Sequence, residues 1–211
     1  MPDLSFEIRR CLSCGLRYPL NTGHSFGTRC PHCLGETEVI LTRIIQEEEW
    51  TREINSDKTG AVRAVVLDNI RSAWNVGSIL RSADGFGFEH AYLCGITPTP
   101  ENEAVTKTSL GAEEYVTWSH HKDAVKLVQG LKKEGWRILA LEETQQSKKI
   151  SRLVQSAEEK IVLILGSEVT GVEPGLLALA DEVLHIPMKG QKRSLNVAIA
   201  FSVAAYALSG Q

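Results

Sequence analysis

The sequence predicts an α/β protein in which a parallel β-sheet is covered by helices on both faces, preceded by a small cysteine-rich module. From residue 62 onward, short runs rich in valine, isoleucine and leucine alternate with segments of helical periodicity. This is the pattern of strands that are buried on both faces. Upstream of that region, four of the five cysteines form two Cys-x-x-Cys pairs. With 211 residues, 43% of them hydrophobic, the chain can bury a full core.

The cysteine pairs are Cys11 with Cys14 and Cys30 with Cys33, and a glycine follows each pair within two residues. Such a glycine allows a tight turn that aims both sulfurs at one ion, and four thiolates are a ligand set that tetrahedral Zn²⁺ prefers. In a chain without a secretory signal, this spacing favours metal over disulfides. We therefore predict a structural zinc ribbon over residues 1–45. Two unrelated reducing pairs are the alternative.

A linker is predicted at residues 46–60, because an acidic run and a polar run interrupt the apolar pattern there. The main domain then covers residues 61–211. The net charge of −3 gives no general attraction to nucleic acid, so any such contact must come from local patches. Neither a signal peptide nor an uninterrupted membrane span is apparent, and we expect a cytoplasmic protein with no membrane segment.

Six strands are predicted in the main domain, with helices between them, at residues 62–67, 90–94, 115–118, 137–141, 161–165 and 183–186. The helix after the first strand has an apolar face made of Val76, Ile79, Leu80 and Ala83. Asn75 is placed to cap this helix. Arg81 lies on its other side, either as a solvated surface residue or as a planar fork for a phosphate. The alanine-rich run at 198–207 predicts a helix that must be buried.

Two later strands lead into loops whose residues could bind a ligand. The strand at 161–165 continues into Gly166-Ser167-Glu168-Val169-Thr170-Gly171, where glycines allow a close approach and Glu168 can accept from N–H groups. The strand at 183–186 continues into a basic loop that carries Lys189, Lys192 and Arg193. Loops that join a strand to a helix offer free backbone N–H groups, which is where α/β proteins bind nucleotide-like ligands.

In order and spacing, three segments resemble the motifs of the SpoU-type (TrmH family) RNA 2′-O-ribose methyltransferases of the SPOUT superfamily. They are Asn75-x-Gly77-x-x-x-Arg81, Gly166-x-Glu168-x-x-Gly171, and Ile186-Pro187-Met188 with Ser194-Leu195-Asn196-Val197. The resemblance covers about residues 60–208 and leaves the cysteine module outside it.

The resemblance implies a parallel sheet whose carboxyl-terminal part forms a trefoil knot, a homodimer, and S-adenosylmethionine bound in the knot. By similarity, the residues that bind the cofactor would be Leu139, Ala140, Leu141, Gly166, Ser167, Ile186, Met188, Ser194 and Leu195. The catalytic set would be Arg81, Asn75, Glu168, Ser194 and Asn196. The substrate would be the ribose 2′-hydroxyl of tRNA or rRNA.

The reaction implied is an in-line attack of the ribose hydroxyl on an activated methyl group, so the enzyme must align the two and remove one proton. In the family, the arginine that matches Arg81 is treated as the base or as the group that activates the hydroxyl. Because arginine stays protonated in proteins, a phosphate clamp is an equally good interpretation. Ser194 and Asn196 would then position the ribose.

Two other functions are compatible with parts of the pattern. The first is a non-catalytic RNA-binding or ribosome-associated protein that retains the methyltransferase fold, which the intact set of motif residues disfavours. The second is a dinucleotide-dependent oxidoreductase, which is disfavoured because no Gly-x-Gly-x-x-Gly follows the first strand.

Overall fold

The computed structural model describes residues 4–21, 28–45, 62–152 and 159–209. The chain separates into two compact units, Met1–Asp57 and Lys58–Gln211. The linker predicted at residues 46–60 lies outside the described residues. Across the described ranges, every helix is too short or too polar to span a lipid bilayer.

The first unit is an antiparallel sheet of three strands, β1 (Leu4–Cys11), β2 (Arg17–Asn21) and β3 (Thr37–Ile45), in the order β2-β1-β3. Two short turns lie at its end and carry the cysteines. In the first turn, the Cys11 N–H donates to the carbonyl of Leu16 at 2.8 Å, and in the second the Cys30 N–H donates to that of Gly35 at 3.0 Å. These bonds close each turn around its pair of sulfurs.

The second unit is built on a seven-stranded sheet in the order β6-β5-β4-β9-β7-β10-β8, and every pair of neighbours is parallel. The strands are β4 (Val62–Asp68), β5 (His90–Cys94), β6 (Thr117–His121), β7 (Arg137–Leu141), β8 (Lys148–Lys149), β9 (Lys160–Leu165) and β10 (Glu182–His185). The predicted parallel sheet is confirmed. β6 begins later than predicted because a 3-10 turn at Ala112–Glu114 precedes it, and β8 is too short for a periodic pattern to reveal.

Helices cover both faces of this sheet, as predicted. They are α1 (Ala73–Gly85), α2 (Glu103–Ser109), α3 (Ala124–Lys133), α4 (Pro174–Leu179) and α5 (Val197–Leu208). α1 and α5 pack with Val65 and Leu67 of β4 on one face, while α3 and α4 pack with Ala64 and Val66 on the other. Alternate residues of one strand therefore supply two separate cores. The trefoil knot implied by the resemblance stays a prediction.

The start of α1 differs from the sequence prediction. Asn75 was expected to cap the helix, but the cap is Ser72, whose Oγ accepts from the Asn75 backbone N–H at 3.3 Å. The expected role of Asn75 is wrong because the helix begins at Ala73, so that Asn75 already lies in its first turn. Its side chain is consequently available for other contacts.

The prediction that α5 must be buried holds for only one face of the helix within the single chain. One face of the helix is buried, with Phe201, Ala204 and Leu208 fully enclosed. The opposite face is exposed: Ile199, Val203 and Tyr206 are 55%, 40% and 54% accessible. The reason is that the sheet and α1 cover only one side of α5. An apolar stripe at helical spacing is left open.

Gly77 sets the distance between α1 and α2, and we expect Gly77→Ala to lower the free energy of unfolding by about 2–3 kcal/mol. A Cβ at this position would lie 2.0 Å from Oγ1 of Thr108 and 2.2 Å from the carbonyl oxygen of Val105. Chemical denaturation measures the change. Gly130→Ala in α3 is the matched control, since a Cβ there meets nothing within 4 Å, and it should stabilise by about 0.5–1 kcal/mol. Equal effects of the two substitutions would contradict the tight helix contact.

Candidate functional site

A cavity of about 550 Å³ opens where β7, β9 and β10 end. Because these strands are parallel, their carboxyl ends meet at one edge of the sheet, where ligands of open α/β sheets bind. Most of the residues that the family resemblance assigns to the cofactor line this cavity, namely Leu141, Gly166, Ser167, Ile186, Met188, Ser194 and Leu195. Three separate segments of the chain thus converge on one space.

Leu139 and Ala140, which the resemblance also assigns to the cofactor, do not line the cavity. Both lie inside β7 and are fully buried, Leu139 in the core beneath α1 and α5 and Ala140 in the core beneath α3 and α4. Of the predicted β7 segment, only Leu141 at the strand end reaches the cavity. Side chains in the middle of a doubly covered strand are committed to packing.

The loop after β9 is held in place by a close backbone contact. A Cβ at Gly166 would lie 2.2 Å from the backbone carbon and oxygen of Gly171, and Gly171 itself has a positive φ of 71°. Glu142, at the end of β7, accepts from the Val172 N–H at 3.0 Å through Oε2. A side chain at Gly171 would displace this carboxylate, since its Cβ would lie 2.3 Å away. Both glycines are required for this wall of the cavity.

Glu168, Asn75 and Asn196 form a continuous chain of hydrogen bonds at the cavity. Oε1 of Glu168 accepts from Nδ2 of Asn75 at 2.9 Å, and Oδ1 of Asn75 accepts from Nδ2 of Asn196 at 3.1 Å. Oδ1 of Asn196 in turn caps α5 by accepting from the Ala198 N–H at 2.9 Å. Each of the three sequence motifs contributes one residue to this series of hydrogen bonds.

Glu168 also fixes the segment that leads into α1. Its Oε2 accepts from the Arg71 N–H at 2.9 Å and its Oε1 from the Ser72 N–H at 3.3 Å. Although partial desolvation opposes ionisation, the hydrogen bonds from the Arg71 N–H and the Asn75 amide hold the pKa of Glu168 below its usual value. The carboxylate is therefore charged and acts as an acceptor at neutral pH.

Arg81 lies outside the cavity of its own chain. It is an exposed residue of α1, six positions after Asn75, which places it about 9 Å further along the helix axis. Ser194, by contrast, lines the cavity. The structure thus brings together four of the predicted catalytic residues, Asn75, Glu168, Ser194 and Asn196, and leaves Arg81 apart from them.

Sequence reasoning missed His185, which lines the cavity as the last residue of β10. Its Nδ1 lies 2.9 Å from Oγ of Ser147. The resemblance places Glu142 at the strand end that lines the pocket, but it does not indicate that the carboxylate holds the loop after β9. The available signal is the same in both cases, since each is a polar residue at the carboxyl end of a strand, Glu142 directly after β7 and His185 as the last residue of β10.

The predicted metal ligands come together in the first unit. The sulfurs of Cys11, Cys14, Cys30 and Cys33 all lie within 4.8 Å of one another, with Cys11 and Cys33 at 3.4 Å and Cys14 and Cys30 at 3.6 Å. Tetrahedral zinc with Zn–S bonds of about 2.3 Å separates its sulfurs by roughly 3.8 Å. The backbone N–H of Cys14 lowers the pKa of Cys11 to about 6. Although the Gly35 N–H opposes it, the neighbouring sulfurs of Cys11 and Cys14 raise the pKa of Cys33 to about 12, so one thiolate forms readily and metal binding would release the protons of the other sulfurs. The donor set fits a structural zinc ion.

Elemental analysis should find about one zinc per chain, and a strong chelator should unfold the first unit, because so small a core depends on its metal. Cys14→Ser should lose the zinc. Cys94→Ala is the control that should keep it, since Cys94 is buried in the core of the second unit. A folded, metal-free ribbon, seen by circular dichroism or by NMR, would count against the four-thiolate site.

Comparison with known proteins gives the same assignment as the three motifs. A tRNA (guanosine(18)-2′-O)-methyltransferase from Thermus thermophilus is 32% identical over 167 residues, which is 79% of this chain and 80% of that protein. A 23S rRNA (guanosine(2553)-2′-O)-methyltransferase from Bacillus subtilis is 30% identical over 155 residues, 73% of this chain. The chain spans only 61% of the length of the Bacillus enzyme.

The fold has solved counterparts as well. An AdoMet-bound rRNA methyltransferase from Sinorhizobium meliloti superposes with a TM-score of 0.65 at 24% identity, covering 69% of this chain and 55% of that one. The model of the SpoU rRNA Methylase family matches residues 62–206, which is well over half of the sequence. The protein therefore belongs to the SpoU rRNA Methylase family.

Proposed function

We propose that this protein transfers a methyl group from S-adenosylmethionine to the ribose 2′-hydroxyl of tRNA or rRNA. The observation that carries the proposal is the hydrogen-bonded chain of Glu168, Asn75 and Asn196 beside the cavity. It joins the three family motifs at one place, so that the segments meant for cofactor and for substrate have a fixed relation to each other. Fixed relative placement is what an in-line transfer requires.

The cavity suits the proposed cofactor in size and chemistry. Its volume of about 550 Å³ lies within the range of small-molecule sites, roughly 300–1,000 Å³. Leu141, Leu165 and Ile186 give it apolar walls, while the loop after β9 adds polar groups. When bound, S-adenosylmethionine supplies an activated methyl group. The protein's own contribution is to bind it, exclude water and orient the acceptor.

The substrate side of the site is assigned to Ser194 and Asn196. Both line the cavity, and Asn196 is held between Asn75 and the first turn of α5. A side chain fixed at both ends loses little entropy when it binds a ribose. We assign to Arg81 the task of holding an RNA phosphate, since an exposed guanidinium fork matches phosphate geometry.

The test is transfer of label from methyl-labelled S-adenosylmethionine to RNA isolated from a strain that lacks the gene. Digestion to nucleosides should yield a labelled 2′-O-methylated nucleoside. RNA from the parent strain, which already carries this methyl group, should take up no label. RNA binding without any transfer would instead favour a non-catalytic RNA-binding protein. No binding of S-adenosylmethionine would sink the proposal altogether.

We further propose a homodimer that pairs through the exposed face of α5. Ile199, Val203 and Tyr206 form an apolar stripe there, and Trp74 of α1 is 60% exposed. Large exposed apolar side chains at helical spacing are typical of subunit interfaces. Sedimentation velocity should show two chains of 23.2 kDa, and a monomer at micromolar concentration would contradict the dimer.

A cytoplasmic location is proposed because reduced cysteines and an RNA substrate both belong there.

A further inference from the structure

A second, larger depression adjoins the proposed cofactor cavity and is not used by the function proposed so far. Its volume is about 970 Å³, and it shares Glu142, Glu143, His185, Met188 and Arg193 with the smaller cavity. The two spaces therefore form one trough along the carboxyl edge of β7 and β10. Whatever binds in the larger part adjoins the proposed cofactor site.

Three cations, Lys149, Lys192 and Arg193, line this basic depression. All three are exposed, and within residues 62–152 and 159–209 no ion pair involves any of them. Lys148 shows the contrast, because its Nζ lies 2.8 Å from Glu182. Successive residues of a strand point to opposite faces. Glu182 thus neutralises Lys148, while Lys149, the next residue of β8, faces the depression.

Two carboxylates, those of Glu142 and Glu143, offset part of this charge. Oε2 of Glu142 accepts from the Val172 N–H and its Oε1 from the Glu143 N–H, at 3.0 Å each. That carboxylate is committed to holding the wall of the cavity. With the Glu143 carboxylate, two negative charges stand against three cations, which leaves one positive charge in excess.

We propose that the basic depression binds the phosphodiester backbone of the RNA next to the methylated nucleotide. This inference rests on the proposed function. The smaller cavity is already large enough for the cofactor, whose single carboxylate needs one cation. Three exposed cations in an open trough, none of them in an ion pair within the described residues of this unit, fit a polyanion instead, since each phosphate neutralised releases counterions and strengthens binding. Arg193, which reaches both spaces, would mark the junction between cofactor and RNA.

The experiment is the salt dependence of RNA binding by Lys149→Ala/Lys192→Ala. These two lysines line only the basic depression, whereas Arg193 also lines the smaller cavity. Loss of two phosphate contacts should reduce the slope of log K against log salt by about 1.5 and raise the Kd for RNA about tenfold at low salt. The Kd for S-adenosylmethionine should not change. Lys149→Arg/Lys192→Arg should retain tight RNA binding.

The matched control is Lys133→Ala/Lys160→Ala, which removes the same charge from exposed residues at the end of α3 and the start of β9. This control should leave the slope unchanged, because the amino ends of the strands lie opposite the trough. An unaltered slope for Lys149→Ala/Lys192→Ala, with the wild type still methylating RNA, would overturn the inference and leave the proposed function intact. Weaker cofactor binding would assign the depression to the cofactor carboxylate and overturn it as well. Absence of transfer by the wild type would instead refute the proposed function.

Discussion

Arg81→Ala is expected to lower the rate of RNA methylation by at least about 100-fold, a loss typical of a misplaced or unstabilised substrate. Its affinity for S-adenosylmethionine should stay at the wild-type value, because Arg81 does not line the cavity. Single-turnover transfer and equilibrium binding of the cofactor measure the two quantities separately. A variant with normal turnover would remove Arg81 from the mechanism.

Arg81→Lys separates the two roles considered for this residue. If the arginine holds a phosphate, lysine should restore part of the rate, since the positive charge remains although the bidentate fork is lost. The restored rate should then fall steeply with salt. If instead the arginine activates the hydroxyl, Arg81→Lys should change the pH dependence of the rate, because a lysine loses its proton more readily than an arginine.

The position of Arg81 outside its own cavity suggests that it serves the cavity of the partner copy in the proposed dimer. Co-expression of Arg81→Ala chains with Gly166→Val chains, whose cofactor cavity is blocked, tests this directly. In a mixed dimer, one cavity would combine an intact cofactor site with an intact arginine from the other chain. Activity well above that of either parent is expected, whereas none would mean that each arginine acts within its own chain.

Glu168→Gln is expected to reduce methylation about 100-fold as well, through loss of alignment rather than loss of a reacting group. The amide would replace one carboxylate oxygen by a donor, so that either the bond from the Arg71 N–H at Oε2 or the bonds from the Ser72 N–H and Asn75 at Oε1 would be lost. The start of α1 would lose part of its anchor. Because Glu168 is exposed, the cost in stability should be only about 1 kcal/mol.

The pH dependence of unfolding supplies an independent readout for Glu168. Its pKa in the folded protein lies below the usual 4.5, so its contribution is fully present above that value and is lost as pH falls through the lower, folded pKa. The glutamine variant should lack this part of the acid sensitivity. Glu101→Gln, an exposed substitution elsewhere, is the control and should keep it. Identical acid profiles for wild type and Glu168→Gln would contradict the proposed hydrogen bonds.

Much of the second unit could be predicted from local patterns. Val62–Asp68 and Lys160–Leu165 are apolar runs of strand length, and such runs need little context to be recognised. The motifs also pointed to the cavity, because strand ends in a parallel sheet share an edge. What could not be predicted was which strands are neighbours. That order depends on packing between distant segments, and no periodicity encodes it.

The predictions for α5 and Asn75 failed for the same reason, because both depend on contacts between distant segments. α5 is apolar on every side, but the sequence cannot state that only one side is covered within the chain, since this depends on where α1 lies. Asn75 has the chemistry of a cap, yet Ser72 has it too and occurs first. The contact of Asn75 with Glu168 joins residues from two distant motifs, and only the folded arrangement shows it.

The position of β9 between β4 and β7 constrains how the protein is made. Val62 of β4 pairs with Lys160 of β9, so during translation β4, β5, β6 and β7 leave the ribosome before the strand that joins them exists. Until residue 165 has emerged, β4 and β7 each expose an unpaired edge. Such edges recruit chaperones or neighbouring nascent chains. A rare codon or pause just before β9 should therefore increase aggregation during synthesis, while the same pause after it should not.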